Sequence, residues 1–111
     1  MKIIRNNIIP FKGYKAINLF GVLFVRQDAV IDEITLNHEA IHTAQMKELL
    51  YIFFYLFYIV DWLIGLIAYL SFSMAYREIC FEKEAYTNER NKDYLKNRKV
   101  FAFIKYIIGI K

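Results

Sequence analysis

Apolar and polar positions change their rhythm twice along this chain. Over residues 3–26, IIRNNIIPF and then KAINLFGVLFVR are rich in Ile, Val and Phe and punctuated by Pro10, Gly13 and Gly21, the pattern of two or three short strands. Residues 20–26 read most clearly as a strand. QDAVIDEI is a connector, in which Asp32 or Thr35 can cap a helix that begins just before His38. From Leu36 neither Gly nor Pro occurs until Gly65, so a helix is expected to run to about Val60, polar in its first turns and apolar all round over YIFFYLFYIV.

Residues 49–72 carry Asp61 as their only charge and meet the length criterion for a transmembrane helix. On an insertion scale, roughly a dozen Leu, Ile, Phe and Val at about −0.3 to −0.6 kcal/mol each outweigh one central Asp at about +2.5 to +3.5. Hydropathy alone therefore leaves a single bilayer span open.

Composition bounds the setting. The chain has 111 residues, 58% of them hydrophobic and 18% aromatic, which is one domain's worth and far from the signature of disorder. The formal charge of +4 comes from the C-terminal part, where residues 77–111 hold nine Lys/Arg against five Asp/Glu. In REICFEKEAYTNERNKD the signs alternate, as on a solvated helix face, so no nucleic-acid role is expected and an acidic lipid surface suits the charge better. The single cysteine, Cys80, excludes an internal disulfide and suits a small buried hydrophobe. The start MKIIRNNIIPFKGYKAINLF does not read as a signal peptide, because Pro10, Lys12 and Lys15 interrupt any apolar stretch and no small-residue cleavage site follows. A cytoplasmic protein is expected, with membrane association left open.

Both histidines lie in NHEAIHTAQ. Positions i and i+4 share a helix face, so His38 and His42 can aim their imidazoles at one ion. Zinc needs a third protein ligand and an open position for water. Glu39 is off the ligand face but can reach that water, the general-base position of the HExxH pattern. Gln45, seven residues after His38, lies on the same face.

The later carboxylates in an apolar context are Glu78, Glu82 and Glu84. In an antiparallel helical hairpin, residues facing one another are equidistant from the turn. The midpoint between Ile41 and Glu82 falls between Asp61 and Trp62, and Asp is a preferred helix N-cap. A turn there, with unbroken helices on either side, would bring Glu82 level with His42, a turn near Ser71 or Ser73 would need a different geometry, and a single helix across a bilayer would leave the two about 30 Å apart. Glu78, one turn before Glu82, is the substitute ligand, and Glu84 points elsewhere.

HEAIH followed by FEKEAY resembles the gluzincins, zincin metallopeptidases whose third ligand is a glutamate on a later helix, and in particular their short members, the minigluzincins. HExxHxxQ, the aromatic-rich segment and the YR…FE.EAY block extend the resemblance over most of the chain. It implies zinc bound by His38, His42 and Glu82, with Glu39 as general base toward a zinc-bound water that attacks a peptide carbonyl. Tyr76, Arg77 and Tyr86 are candidate oxyanion donors. In related families the ligand glutamate opens an E-x-x-A-D pattern; here Tyr86 stands where the aspartate would be, in the place that normally orients a ligand histidine.

The resulting expectation is a single α+β domain over residues 1–111. It comprises strands in 1–34, active-site and glutamate helices in 35–98 and a tail in 99–111, with a short sheet packed on a long helical hairpin. A substrate peptide would pair along the strand at 20–26. Residues 49–72 would form a homodimer interface or a peripheral membrane contact, and the tail could cover the cleft as an autoinhibitory segment. A non-catalytic zinc domain and a membrane-associated structural protein are the rival readings.

Overall fold

The computed structural model describes residues 1–107. A tight reversal is made by Phe20 and Gly21, which both have positive φ, 54° and 87°. Two such residues form the tight turn whose twist matches a β-hairpin. It pairs β2 (Ala16–Leu19) antiparallel with β3 (Val22–Arg26), setting Leu19 opposite Val22. β1 (Lys2–Asn6) lies parallel on the other side of β3, giving the order β1-β3-β2. Phe20 thus belongs to the turn and not to the strand expected from residue 20. β3 is also the central strand, so it has no free edge for a substrate; the edges are β1 and β2.

Helix α1 (Glu33–Glu48) starts as the sequence suggests. Asp32 is the cap, its carboxylate accepting the Thr35 N–H at 2.8 Å. The helix stops well short of Val60. Leu50 N–H donates to Lys47 O at 3.3 Å and Tyr51 N–H to Met46 O at 2.7 Å, the paired bonds of a Schellman ending. Leu50, at φ 54°, takes the left-handed position where glycine is usual. Tyr51 packs back on Met46 and completes the motif with its apolar contact.

Helix α2 (Ile52–Tyr69) leaves in a new direction and ends at Leu70, again left-handed at φ 52°. Ser71 accepts the Met74 N–H and caps α3 (Phe72–Arg77). The returning helix lies so close that a Cβ on Gly65 would sit 3.0 Å from Ala75 Cα. α4 (Cys80–Asn88), α5 (Tyr94–Asn97) and a 3₁₀ turn (Ala102–Tyr106) follow.

The expected reversal at Asp61 is therefore displaced. Tyr58 meets Glu82, and Gly65 meets Ala75, both pairs centred on residue 70. Asp61 is a cap after all, but through space: its Oδ2 accepts the Cys80 N–H at 2.7 Å at the start of α4. Because the chain turns back at Leu70, residues 49–72 are not one uninterrupted helix. α2 by itself remains long and apolar enough to cross a membrane.

The architecture is mixed α and β, with one three-stranded sheet and five α-helices among the described residues. Its core joins Met46 of α1, Phe54 of α2, Cys80 and Phe81 of α4, Ile79 before it and Phe103 of the tail. Each large apolar side chain fully buried there contributes about 1.5–3 kcal/mol. The sheet is tied to α1 by Asn18, whose Nδ2 donates to Glu39 O and to Thr43 Oγ1, both at 3.0 Å. The tail covers the face of Phe81, not the cleft described below; residues 108–111 lie outside the described residues.

Candidate metal centre

His38 and His42 stand one turn apart on α1, and α4 delivers Glu82 opposite them. His38 Nε2, His42 Nε2 and Glu82 Oε1 form a nearly equilateral triangle with sides of 3.2, 3.1 and 3.3 Å. All three residues are buried, and they can hold a metal ion. Ligand atoms about 2.0–2.1 Å from a tetrahedral ion lie about 3.3 Å apart, so the triangle has the right size.

The surrounding hydrogen bonds determine what these atoms present. Gln45 is fully buried, and its Nε2 donates to Phe81 O at 3.0 Å and Glu84 Oε1 at 2.9 Å. Both partners are acceptors, so the other amide atom is the oxygen. His42 Nδ1 lies 2.8 Å from that oxygen and must donate to it. A neutral His42 therefore turns a bare Nε2 lone pair into the triangle. His38 Nδ1 faces the Glu89 carboxylate at 3.2 Å, which selects the same tautomer. Tyr58 donates to Glu82 Oε2 at 2.6 Å and leaves Oε1 to the imidazoles. Three lone pairs then converge where only a cation resolves their repulsion.

Without a metal, protons serve. Burial pushes His42 down, but the Glu82 carboxylate, helped by Glu39, outweighs it and lifts the imidazole to about 9. Burial pushes Glu82 up, and His42 and the hydrogen bonds from His38, His42 and Tyr58 hold it far below the usual carboxylate range. For Glu39 burial outweighs its neighbours. Its carboxyl is raised by burial against the opposing pull of His42 and His38.

The triangle lies on a cleft of about 780 Å³ lined by Glu39, Tyr76, Phe54, Tyr58 and β2. Arg26 N–H donates to Lys15 O, so alternate residues after Lys15 pair with β3, and Ala16 and Asn18 turn their main-chain groups toward the cleft. Tyr55 closes the far end, its hydroxyl bonding Phe20 N–H at 3.0 Å and Asn18 O at 3.4 Å. The edge beside the triangle is β2, not residues 20–26.

Of the other expected residues, Tyr76, 37% exposed, reaches the cleft, and its hydroxyl is pushed up by desolvation and by nearby Glu82 and so keeps its proton. Tyr86 sets its ring edge on His38 and its hydroxyl 3.2 Å from that of Tyr76. Arg77 stands over the Tyr86 ring, away from the cleft lining. Glu78 is paired with Lys83 at 2.8 Å and does not substitute for Glu82. Glu84, read as pointing elsewhere, is fully buried and grips Gln45.

Glu89, Asn37 and Tyr58 carry no role in the sequence-based expectation. Glu89 supplies the carboxylate that Tyr86 cannot; it lies seven residues after Glu82, the spacing that singled out Gln45 after His38. Asn37 docks this helix end by donating to Glu89 O at 2.8 Å and Asn91 O at 2.9 Å. Tyr58 carries no comparable signal, being one of nine tyrosines. No family model, curated protein or solved structure matches this chain.

Proposed function

We propose that this protein is a zinc-dependent metallopeptidase, a minimal zincin of the gluzincin kind. The observation that carries the reading is the convergence of His38 Nε2, His42 Nε2 and Glu82 Oε1 beside a cleft that also holds Glu39. Two imidazoles and one carboxylate at this spacing are a donor set suited to zinc, with room left on the cleft side. Zinc bound there supplies a Lewis acid that acidifies water and polarises a carbonyl oxygen.

The chain's own groups account for the rest. Glu39, raised by burial, is placed to take a proton from water at its carboxylate and return it to the leaving amine. Tyr76 keeps its phenolic proton and can donate it toward the developing oxyanion. Tyr86 orients Tyr76 through the hydroxyl pair, and Arg77 steadies the Tyr86 ring. The substrate is an extended peptide lying against β2, with apolar side chains favoured by Ile9, Ile17, Leu19 and Phe54 on the cleft walls.

The test combines metal content with hydrolysis of unfolded casein. Wild type is expected to hold close to one zinc per chain, with strong loss in His42→Ala and Glu82→Gln. Glu39→Gln should keep the zinc and lose roughly 10²–10⁴-fold in casein cleavage. Full zinc loading with no cleavage by wild type would leave a metal-binding domain without peptidase activity.

A further inference from the structure

We propose that the α2–α3 hairpin docks this protein on an anionic lipid surface, lying in the interface without spanning it. The inference is independent of the peptidase reading. Its basis is the outer half of α2. Ile52, Leu56, Ile59, Leu63 and Ile67 form an exposed stripe, flanked by a second exposed apolar stripe, and no polar side chain interrupts either. At 3.6 residues per turn this is about half the helix circumference, over a length of about 27 Å. The apolar surface continues round the tip, where Ile67, Leu70 and Phe72 are 80%, 88% and 74% exposed. It exceeds the few hundred Å² that a soluble monomer ordinarily leaves uncovered.

Three features select lipid over a second copy of the chain. First, the surface is convex, wrapping one helix, the turn and the start of the next; a dimer contact covers one side of such a projection, whereas acyl chains cover all of it. Second, neither stripe presents a hydrogen-bonding side chain to fix the register of a partner, whereas protein interfaces carry about one hydrogen bond per 100–200 Å². Part of the turn's backbone is paired internally: Leu70 N–H donates to Leu66 O, Met74 N–H to Ser71 Oγ, and Ala75 N–H to Ser71 O.

The third feature is charge. Residues 62–76 hold no Lys, Arg, Asp, Glu or His. Asp61, the one acid in the apolar run, is turned inward onto Cys80 N–H. The nearest carboxylates on the flanks are paired, Glu48 with Arg98, which it shares with Glu84, and Glu78 with Lys83. What remains exposed on the flanks is Lys47, at the end of α1, and Arg77, at the end of α3. An apolar face flanked by cations is the complement of acyl chains beneath anionic headgroups.

The experiment is co-sedimentation of the full chain with vesicles of phosphatidylcholine alone, and of phosphatidylcholine mixed with phosphatidylglycerol in roughly equal parts. Circular dichroism confirms the fold of each variant. Wild type should bind the mixed vesicles at least tenfold better than the neutral ones and lose most of that excess in high salt. Leu63→Glu/Ile67→Glu should abolish sedimentation with both. Lys47→Glu/Arg77→Glu should lower binding to the mixed vesicles at least tenfold and leave neutral vesicles unaffected. Equal binding to both compositions overturns the proposal, and so does no binding of folded wild type to either. In the latter case, a dimer by light scattering that Leu63→Glu/Ile67→Glu splits would assign the face to a second copy.

Discussion

Gln45 Oε1 accepts the Nδ1 proton of His42 at 2.8 Å, and the amide can point that way only because its nitrogen is spent on Phe81 O and Glu84 Oε1. Glu84 in turn accepts from Arg98 Nε at 2.5 Å and from the Tyr94 hydroxyl at 2.6 Å. A chain of buried hydrogen bonds therefore runs from the tail to the tautomer of a candidate ligand. Partners of this kind are worth about 10–100-fold in metal affinity. Gln45→Met should lose zinc affinity by that factor in chelator competition while remaining helical; affinity unchanged within twofold would remove Gln45 from the site.

Glu89 and Tyr86 compete for the role that an aspartate fills in the E-x-x-A-D pattern. The carboxylate on His38 Nδ1 is that of Glu89, while Tyr86 offers His38 only a ring edge. Glu89→Ala is expected to weaken zinc binding about 10–100-fold, and Glu89→Gln, which keeps an acceptor, considerably less. Tyr86→Phe should leave affinity unchanged. The reverse ranking would return the orienting role to position 86.

How much of this could be read beforehand depends on how local each signal was. His38, His42 and Gln45 were legible because one helix face is written in four- and seven-residue spacings. The start of α1 at Asp32 is equally local. The pairing of Glu82 with the histidines was correct, but the turn at Asp61 inferred to explain it was not. Leu50 and Leu70 adopt left-handed conformations that no side-chain preference announces, so the end of α1 is invisible in the sequence and that of α2 shows only as the alternative turn near Ser71. Asp61 does cap a helix, one reached by chain reversal and not by sequence. The order β1-β3-β2 depends on a nonlocal parallel pairing, and with it the identity of the edge beside the cleft.

Protonation and metal binding should oppose each other. In the metal-free protein the Glu82 carboxylate overcomes burial and lifts His42 from 6.5 to about 9. A raised folded-state value means that this contribution to stability is complete below about pH 6.5 and lost as pH rises through 9. Glu82 is held below its ordinary 4.5, so its contribution is present above that value and lost on acidification. The metal-free protein should melt at its highest temperature between about pH 5 and 6.5. Zinc requires the lone pair that the proton occupies, so its apparent affinity should rise about tenfold per pH unit from 6.5 toward 9, for one proton displaced. Calorimetry of chelated and zinc-loaded protein checks both slopes; a pH-independent affinity would mean that His42 is not a ligand.

The Schellman ending of α1 predicts a stabilising substitution. Leu50 holds φ at 54° and is 71% exposed, so its side chain gains little from the fold. The left-handed conformation costs a non-glycine residue about 1–2 kcal/mol. Leu50→Gly should raise stability by about 0.5–1 kcal/mol, after the larger entropy loss of glycine on folding, in urea denaturation with an unchanged slope. A loss of stability would mean that Leu50 is covered by a partner, and vesicle binding by the same variant would identify whether that partner is lipid.

The tail gives the last prediction, and it separates a structural role from an inhibitory one. Arg98 is buried between two carboxylates, bonding Glu48 through both terminal nitrogens at 2.9 and 3.0 Å and Glu84 through Nε. Phe101 N–H adds a bond to Glu48 Oε2 at 2.7 Å, and Phe103, 6% exposed, packs edge-on with Phe81 in the core. None of these residues reaches the cleft. Removing Phe103 by truncation after Arg98 should cost about 3–5 kcal/mol through the lost aromatic. Arg98→Met, which strands two buried carboxylates, should cost a similar amount. Thermal melts of zinc-loaded protein would register both losses. An inhibitory tail predicts the opposite for the truncation, a stable protein with faster casein cleavage.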